Sequence, residues 1–163
     1  MLKLEQHEGE TGPVRYYSPF GFMLTSSGLS PITPPWTSLT AYDLNEGTIK
    51  WKIPLGEVPQ LAAKGLKNTG VHFPKGGPVV TAGGLIFTGT RDRKVRAFDE
   101  KTGKLLWETE LEAGIEGVPA VYEVDGREYL AVCAAAQSEI GPAAQNKIRG
   151  GAYVAFALPE GLR

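Results

Sequence analysis

Two histidines, one cysteine and a pair of aspartates in a repeated phrase are the residues of this chain best suited to chemistry. Cys133 stands alone, which excludes an internal disulfide and a cysteine-based zinc site. His7 and His72 are too few for a histidine-rich metal centre, and a Ser-His-Asp triad would have to use one of them. His7 lies in a polar N-terminal stretch and His72 in a Gly/Pro-rich loop, where a solvated histidine is expected. The chain has neither a G-x-x-x-x-G-K-[ST] phosphate loop nor a G-x-G-x-x-G opening a helix. Gly76-Gly77 and Gly83-Gly84 fall between strand-like runs and read as turns.

The bulk composition removes further classes. Seventeen basic residues against 18 acidic ones leave a net charge of −1, so no nucleic acid or anionic membrane partner is expected. No apolar run approaches the ~18 residues that would span a bilayer. The opening Met1–Glu8 stretch carries no apolar core of signal-peptide type. With 42% hydrophobic residues in 163, one domain can bury a sizeable core.

The elements that would position any site come from a repeat. Ala41-Tyr42-Asp43-Leu44-Asn45-Glu46-Gly47-Thr48-Ile49-Lys50-Trp51 matches Ala97-Phe98-Asp99-Glu100-Lys101-Thr102-Gly103-Lys104-Leu105-Leu106-Trp107 at an offset of 56 residues. A third copy opens at Ala155-Phe156-Ala157-Leu158, with Ala157 in the place of the aspartate. Fixed-period repetition points to a repeat architecture. Ile49, Trp51, Ile53 and Leu55 alternate with other residues, as do Leu105, Trp107, Thr109 and Leu111. Period two is the mark of a strand with one buried face, so Trp51 and Trp107 are expected buried on equivalent faces. The Asp-x-x-x-Gly between strands reads as a hairpin loop, with Gly47 and Gly103 at positive φ. Ala82-Gly83-Gly84 and Asp125-Gly126 mark two further hairpin turns. Ala62–Gly65 or Pro142–Gln145 could form one helical turn but not a stable helix. The expected fold is therefore all-β, a partial β-propeller of about three four-stranded antiparallel blades, the last lacking its fourth strand. A tail covers 1–13, and the blades cover about 14–56, 76–112 and 116–159 within a 14–163 domain.

The A-x-D-x-x-x-G-x-x-x-W phrase resembles the tryptophan-docking motif of the quinoprotein dehydrogenases, which depend on pyrroloquinoline quinone (PQQ). Ser30-Pro31-Ile32-Thr33-Pro34-Pro35-Trp36 is similar to the Pro-Pro-Trp segment of the glucose-dehydrogenase branch. Gly76-Gly77-Pro78-Val79-Val80-Thr81-Ala82-Gly83-Gly84-Leu85-Ile86-Phe87 resembles that branch's G-G-P-[IV]-V-T-A-G-G-L-[IV]-F. Tyr153-Val154-Ala155-Phe156-Ala157-Leu158-Pro159 resembles its C-terminus. The likeness runs from about residue 14 to residue 159, and it implies the C-terminal part of an eight-bladed propeller.

That resemblance implies an oxidoreductase acting on sugars or alcohols with PQQ and calcium, in the periplasm or outside the cell. The family's base, metal ligands and most PQQ contacts lie in earlier blades, so no catalytic or metal-binding residue is assigned here. Asp43 and Asp99 are expected to be turn residues rather than the base. On the cofactor side, Lys75 and Gly76 are the positions the resemblance points to. They close Asn68-Thr69-Gly70-Val71-His72-Phe73-Pro74-Lys75-Gly76, where the family usually has the shorter N-T-G-T-E-N-[YF]-G. A chain of about three blades is expected to be inactive alone, and its exposed blade edges to favour self-association. The alternative is a non-catalytic PQQ-repeat propeller acting as a protein-binding scaffold.

Overall fold

The computed structural model describes residues 23–72, 74–136 and 151–159. These form strands β1 (Ser38–Asp43) and β2 (Thr48–Pro54), a helical turn α1 (Pro59–Ala62), then β3 (Val79–Val80), β4 (Leu85–Gly89), β5 (Lys94–Asp99) and β6 (Leu105–Glu110), and finally β7 (Gly114–Val124), β8 (Arg127–Ala136) and β9 (Ala152–Ala157). Strand order is β1-β2, β3-β4-β5-β6 and β7-β8-β9 in three antiparallel sheets. The expected four strands are thus complete only in the second sheet. Residues 23–37 form no strand, so β1 and β2 are what the described residues contribute to the first. The third sheet has the three strands expected. The helical turn starts three residues earlier than Ala62–Gly65; Pro59 suits a first helical position, and Gly65 at φ +86° ends it. Residues 142–145 lie outside the described residues.

The central strands of the second sheet, β4 and β5, are covered on both faces, whereas β6 is largely exposed. Ile86 and Phe98 are cross-strand partners and pack with Leu39 and Leu55 of the first sheet. On the opposite face, Phe87 and Val95 pack with Ile115, Leu130 and Val132 of the third. Val95 to Phe98 are consequently all buried, which is why β5 reads as a run rather than an alternation. A Cβ on Gly89 would lie 2.4 Å from Ile115 Cγ2, so a glycine is required where the second and third sheets meet.

The repeated phrase makes the same local structure twice. The register slips after Ala41 and again after Ala97, leaving each alanine opposite its tryptophan, Trp51 or Trp107. Asp43 Oδ1 accepts the N–H groups of Asn45 (3.0 Å) and Glu46 (3.2 Å), and Asp99 Oδ1 accepts Thr102 N–H (2.8 Å). Gly47 and Gly103 sit at φ +68° and +70°, as expected for these turns. At Asp125-Gly126 both residues have positive φ, as a two-residue hairpin turn demands.

Trp51 reaches from the first sheet to the turn of the second. Its Nε1–H donates to the Glu100 carbonyl at 3.0 Å, and its ring lies over Gly103. The expectation of two buried indoles is met only in part: Trp51 is half-buried against the Leu39–Phe98 cluster, and Trp107 is more exposed. That ring meets Phe156 edge-on at 5.4 Å but stays 39% exposed. Ala157 stands where Asp43 and Asp99 brace their turns, so the third copy lacks the carboxylate that shapes the receiving turn for Trp51.

Gly47 and Gly103 share a backbone conformation but not surroundings. A Cβ on Gly47 meets nothing within 4 Å, whereas one on Gly103 would fall 2.7 Å from Trp51 Cε3. Gly47→Ala should therefore cost about 1 kcal/mol from left-handed strain alone. Gly103→Ala should cost about 2–4 kcal/mol, because overpacking is added. Urea unfolding of the two variants measures the difference, and equal losses would contradict the packing of Trp51 on Gly103.

Candidate functional site

Antiparallel order sends the Asp-x-x-x-Gly turns to one end of the sheets and the β2–β3, β4–β5 and β6–β7 connections to the other. The second end carries the loop that the sequence singles out. Its long segment is pinned from both sides. Thr37 Oγ1 donates to the Val71 carbonyl at 2.7 Å, Val71 N–H to the Leu55 carbonyl at 2.9 Å, and Val58 N–H to Thr69 Oγ1 at 2.9 Å. Gly70, at φ +66°, lets this loop lie directly against the Thr37 backbone.

Lys75 and Gly76 stand at the inner end of this loop. Gly76 forms a parallel bridge to Gly117 of the third sheet, and Gly117 N–H donates to the Lys75 carbonyl at 3.0 Å. A Cβ on Gly76 would lie 2.5 Å from the Gly117 carbonyl oxygen, so this close approach explains the glycine. The Lys75 side chain is 64% exposed, with its ammonium 3.9 Å from Glu116 Oε1. The two residues line a cavity of about 240 Å³ with Thr37, Leu39, Val71, Thr90 and Arg91.

His72 departs from the solvated loop residue expected. It is 6% exposed, accepts Ser30 N–H at Nε2 (2.8 Å), and meets the Trp36 ring edge-on at 5.2 Å. The Pro-Pro-Trp segment has folded over it. Burial depresses the imidazole below its ordinary value, and the positive charge of Arg91 adds to this.

A buried ionic cluster, which sequence reasoning missed, braces the same end. The Arg96 guanidinium donates to Asp92 Oδ2 through Nη2 (2.6 Å), to Thr90 Oγ1 through Nη1 (2.6 Å) and to Glu108 Oε2 through Nε (2.7 Å). Thr90 Oγ1 donates to Asp92, whose Oδ2 also accepts Glu57 N–H at 3.0 Å. Burial opposes the charge on Arg96, but the Asp92 and Glu108 carboxylates outweigh it and hold the guanidinium more firmly protonated than usual. The available signal was a charged residue within Val95-Arg96-Ala97-Phe98, a strand otherwise apolar on both faces.

A family model described as the glucose/ethanol/alcohol dehydrogenase β-propeller domain, of the PQQ type, matches residues 3–130. The chain belongs to the PQQ-dependent dehydrogenase family. A probable quinate dehydrogenase (quinone) of Xanthomonas campestris pv. juglandis is 35% identical over 147 residues, 84% of this chain and 18% of that protein. The quinoprotein glucose dehydrogenase of Escherichia coli (strain K12) is 31% identical over 159 residues, 91% of this chain and 19% of that one. The crystal structure of the quinohemoprotein alcohol dehydrogenase from Comamonas testosteroni superposes with a TM-score of 0.54 at 25% identity, covering 74% of this chain and 16% of that one. The chain spans about a fifth of the length of the curated relatives it matches.

Lys75 and Arg91 are the cations on the cavity wall. Among the described residues no group of three or more His, Cys, Asp or Glu is arranged to hold a metal ion. Among them too, no helix is long and apolar enough to cross a membrane. Asp43 and Asp99 lie at the opposite end of the sheets, where hydrogen bonds lower both carboxyl pKa values. At Asp43 the Lys50 side chain leads and turn N–H groups follow; at Asp99 the Thr102 hydroxyl leads, followed by Thr102 N–H. A carboxylate so held is a poor proton acceptor.

Two outcomes test this junction. Asp92→Ala strands a buried guanidinium and should cost about 3–5 kcal/mol, while Arg93→Ala, which breaks a surface pair with Glu110, should cost under ~1 kcal/mol. Denaturant unfolding distinguishes them. The depressed His72 makes the folded state bind fewer protons than the unfolded one. Stability should therefore be lost as pH falls below about 6.5, levelling once pH passes the lower folded value. His72→Gln should remove that part of the pH dependence between 7 and 5; an unchanged profile would contradict it.

Proposed function

We propose that this chain supplies blades to a PQQ-dependent dehydrogenase that oxidises the CH–OH group of a sugar or another polyhydroxy compound, in the periplasm or outside the cell. The observation that carries the reading is the family match over residues 3–130. The matched relatives are named dehydrogenases of glycerol, quinate and glucose, which favours catalysis over a scaffold role. The units 14–56, 76–112 and 116–159 act as blades. Bound PQQ supplies the two-electron acceptor that takes the substrate carbon to a carbonyl. Lys75 lies on the cofactor side, where its ammonium would meet an anionic edge of PQQ. The Gly76–Gly117 bridge fixes the backbone from which Lys75 projects. No step is assigned to calcium, because no described grouping fits it. The β1 and β9 strands, each at the edge of its sheet among the described residues, would favour self-association of the 163 residues by themselves.

The test has two arms. Purified alone with PQQ and Ca²⁺, the 163-residue chain should give no dye reduction above a PQQ-only control with glucose, glycerol or quinate, because catalysis needs its groups held in one near-attack arrangement. Grafted in place of the matching stretch of the E. coli quinoprotein glucose dehydrogenase, residues 23–159 should preserve PQQ-dependent turnover within about tenfold. A folded but inactive chimera would overturn the reading, and turnover by the chain alone would overturn the division of labour.

A further inference from the structure

We propose that the cavity between the first and second sheets binds the carboxylate of a small hydroxy-acid substrate, with Arg91 as its anchor. This rests on the reading of the chain as part of a PQQ-dependent dehydrogenase and narrows its substrate class.

The cavity, about 240 Å³, falls below the roughly 300–1,000 Å³ of sites for drug-sized ligands, so it suits a compact metabolite. Leu39, Leu55, Val71 and Ile115 give it apolar walls; the charged residues lining it are Lys75 and Arg91, and no Asp or Glu is among its described lining. Apolar walls with one or two convergent charges describe a site for a small anion-bearing molecule. Arg91 is half-buried, and its Nε–H is shielded from solvent without an acceptor among the described residues. A guanidinium cannot shed its charge, so a donor held this way costs stability until an acceptor arrives.

The contrast with Arg96 makes the vacancy at Arg91 specific. Five residues along, Arg96 is met by both Asp92 and Glu108, so among the described residues these two carboxylates are committed to Arg96 and not to Arg91. Glu116 serves Lys75 at 3.9 Å rather than Arg91. The loop from Asn68 to Gly76 contains no acidic residue and carries Lys75, which leaves the local field positive. The planar fork of an arginine matches a carboxylate with two parallel hydrogen bonds, and a neutral polyol has no equivalent group.

PQQ also carries carboxylates, so the experiment must separate cofactor from substrate. Calorimetric titration of the full chain would compare quinate, its neutral methyl ester and PQQ. The proteins are wild type, Arg91→Gln, Arg91→Lys and the exposed control Lys52→Gln. Quinate should bind at least tenfold more tightly than the ester to wild type and to Lys52→Gln. Arg91→Gln should abolish that preference, Arg91→Lys should keep part of it, and PQQ affinity should be unchanged by Arg91→Gln. Should Arg91→Gln fail to fold, the ¹⁵N signal of an arginine Nε in wild type decides: it must shift with quinate and not with the ester. Absence of a quinate preference, its survival in Arg91→Gln, or a loss confined to PQQ would each overturn the assignment. PQQ binding scores the wider dehydrogenase reading, and the quinate-to-ester ratio scores this one.

Discussion

Two strands with no wet face set the terms for the rest of this chain. Strands β4 and β5 bury Ile86 and Phe98 toward the first sheet and Phe87 and Val95 toward the third. Neither face can be solvated, so each neighbour must approach closely, and the backbone has to permit it. Gly89 allows Ile115 in, Gly76 allows Gly117 in, and Gly103 takes the indole of Trp51. The glycines that look like loose punctuation in the sequence are, at these positions, the places where sheets touch.

Burial of both faces also forces a polar solution where the loops cross. Arg96 lies on the same face as Phe98, and water cannot reach it. Its charge is therefore met from three directions, by Asp92, Glu108 and Thr90. Because Asp92 also accepts Glu57 N–H, the cluster ties the β4–β5 turn to the chain leaving the first sheet. A fully satisfied network of this kind is stiff, whereas a half-satisfied one is costly. The loop that reaches Lys75 and Gly76 thus departs from a fixed point.

Much of the strand pattern was legible because it is local. Period-two alternation located β2 and β6, and the Asp-x-x-x-Gly and Asp-Gly turns located their hairpins. The 56-residue offset made the sheets a repeat rather than a meander. What could not be read depends on partners far along the chain. His72 is buried by Ser30 and Trp36, 42 and 36 residues earlier. The change to Ala157 was visible in the sequence, but the exposure of Trp107 was not, since that depends on how the ring seats. Lys75 and Gly76 were found through likeness to a family. Arg91 and the Arg96 cluster required the sheets to be assembled first, because neither is marked by a motif.

The seat of Trp51 has a direction. The indole belongs to one unit and the glycine turn that receives it belongs to the next, 52 residues further on. An interface between unlike surfaces cannot be satisfied by a twofold axis relating two copies of one unit. Each added unit fills one receptor and presents another projection, so the array has a head and a tail that differ. Such an array ends only when its last projection meets its first receptor. Head-to-tail repetition, rather than pairing, is the symmetry written into a single tryptophan and a single glycine.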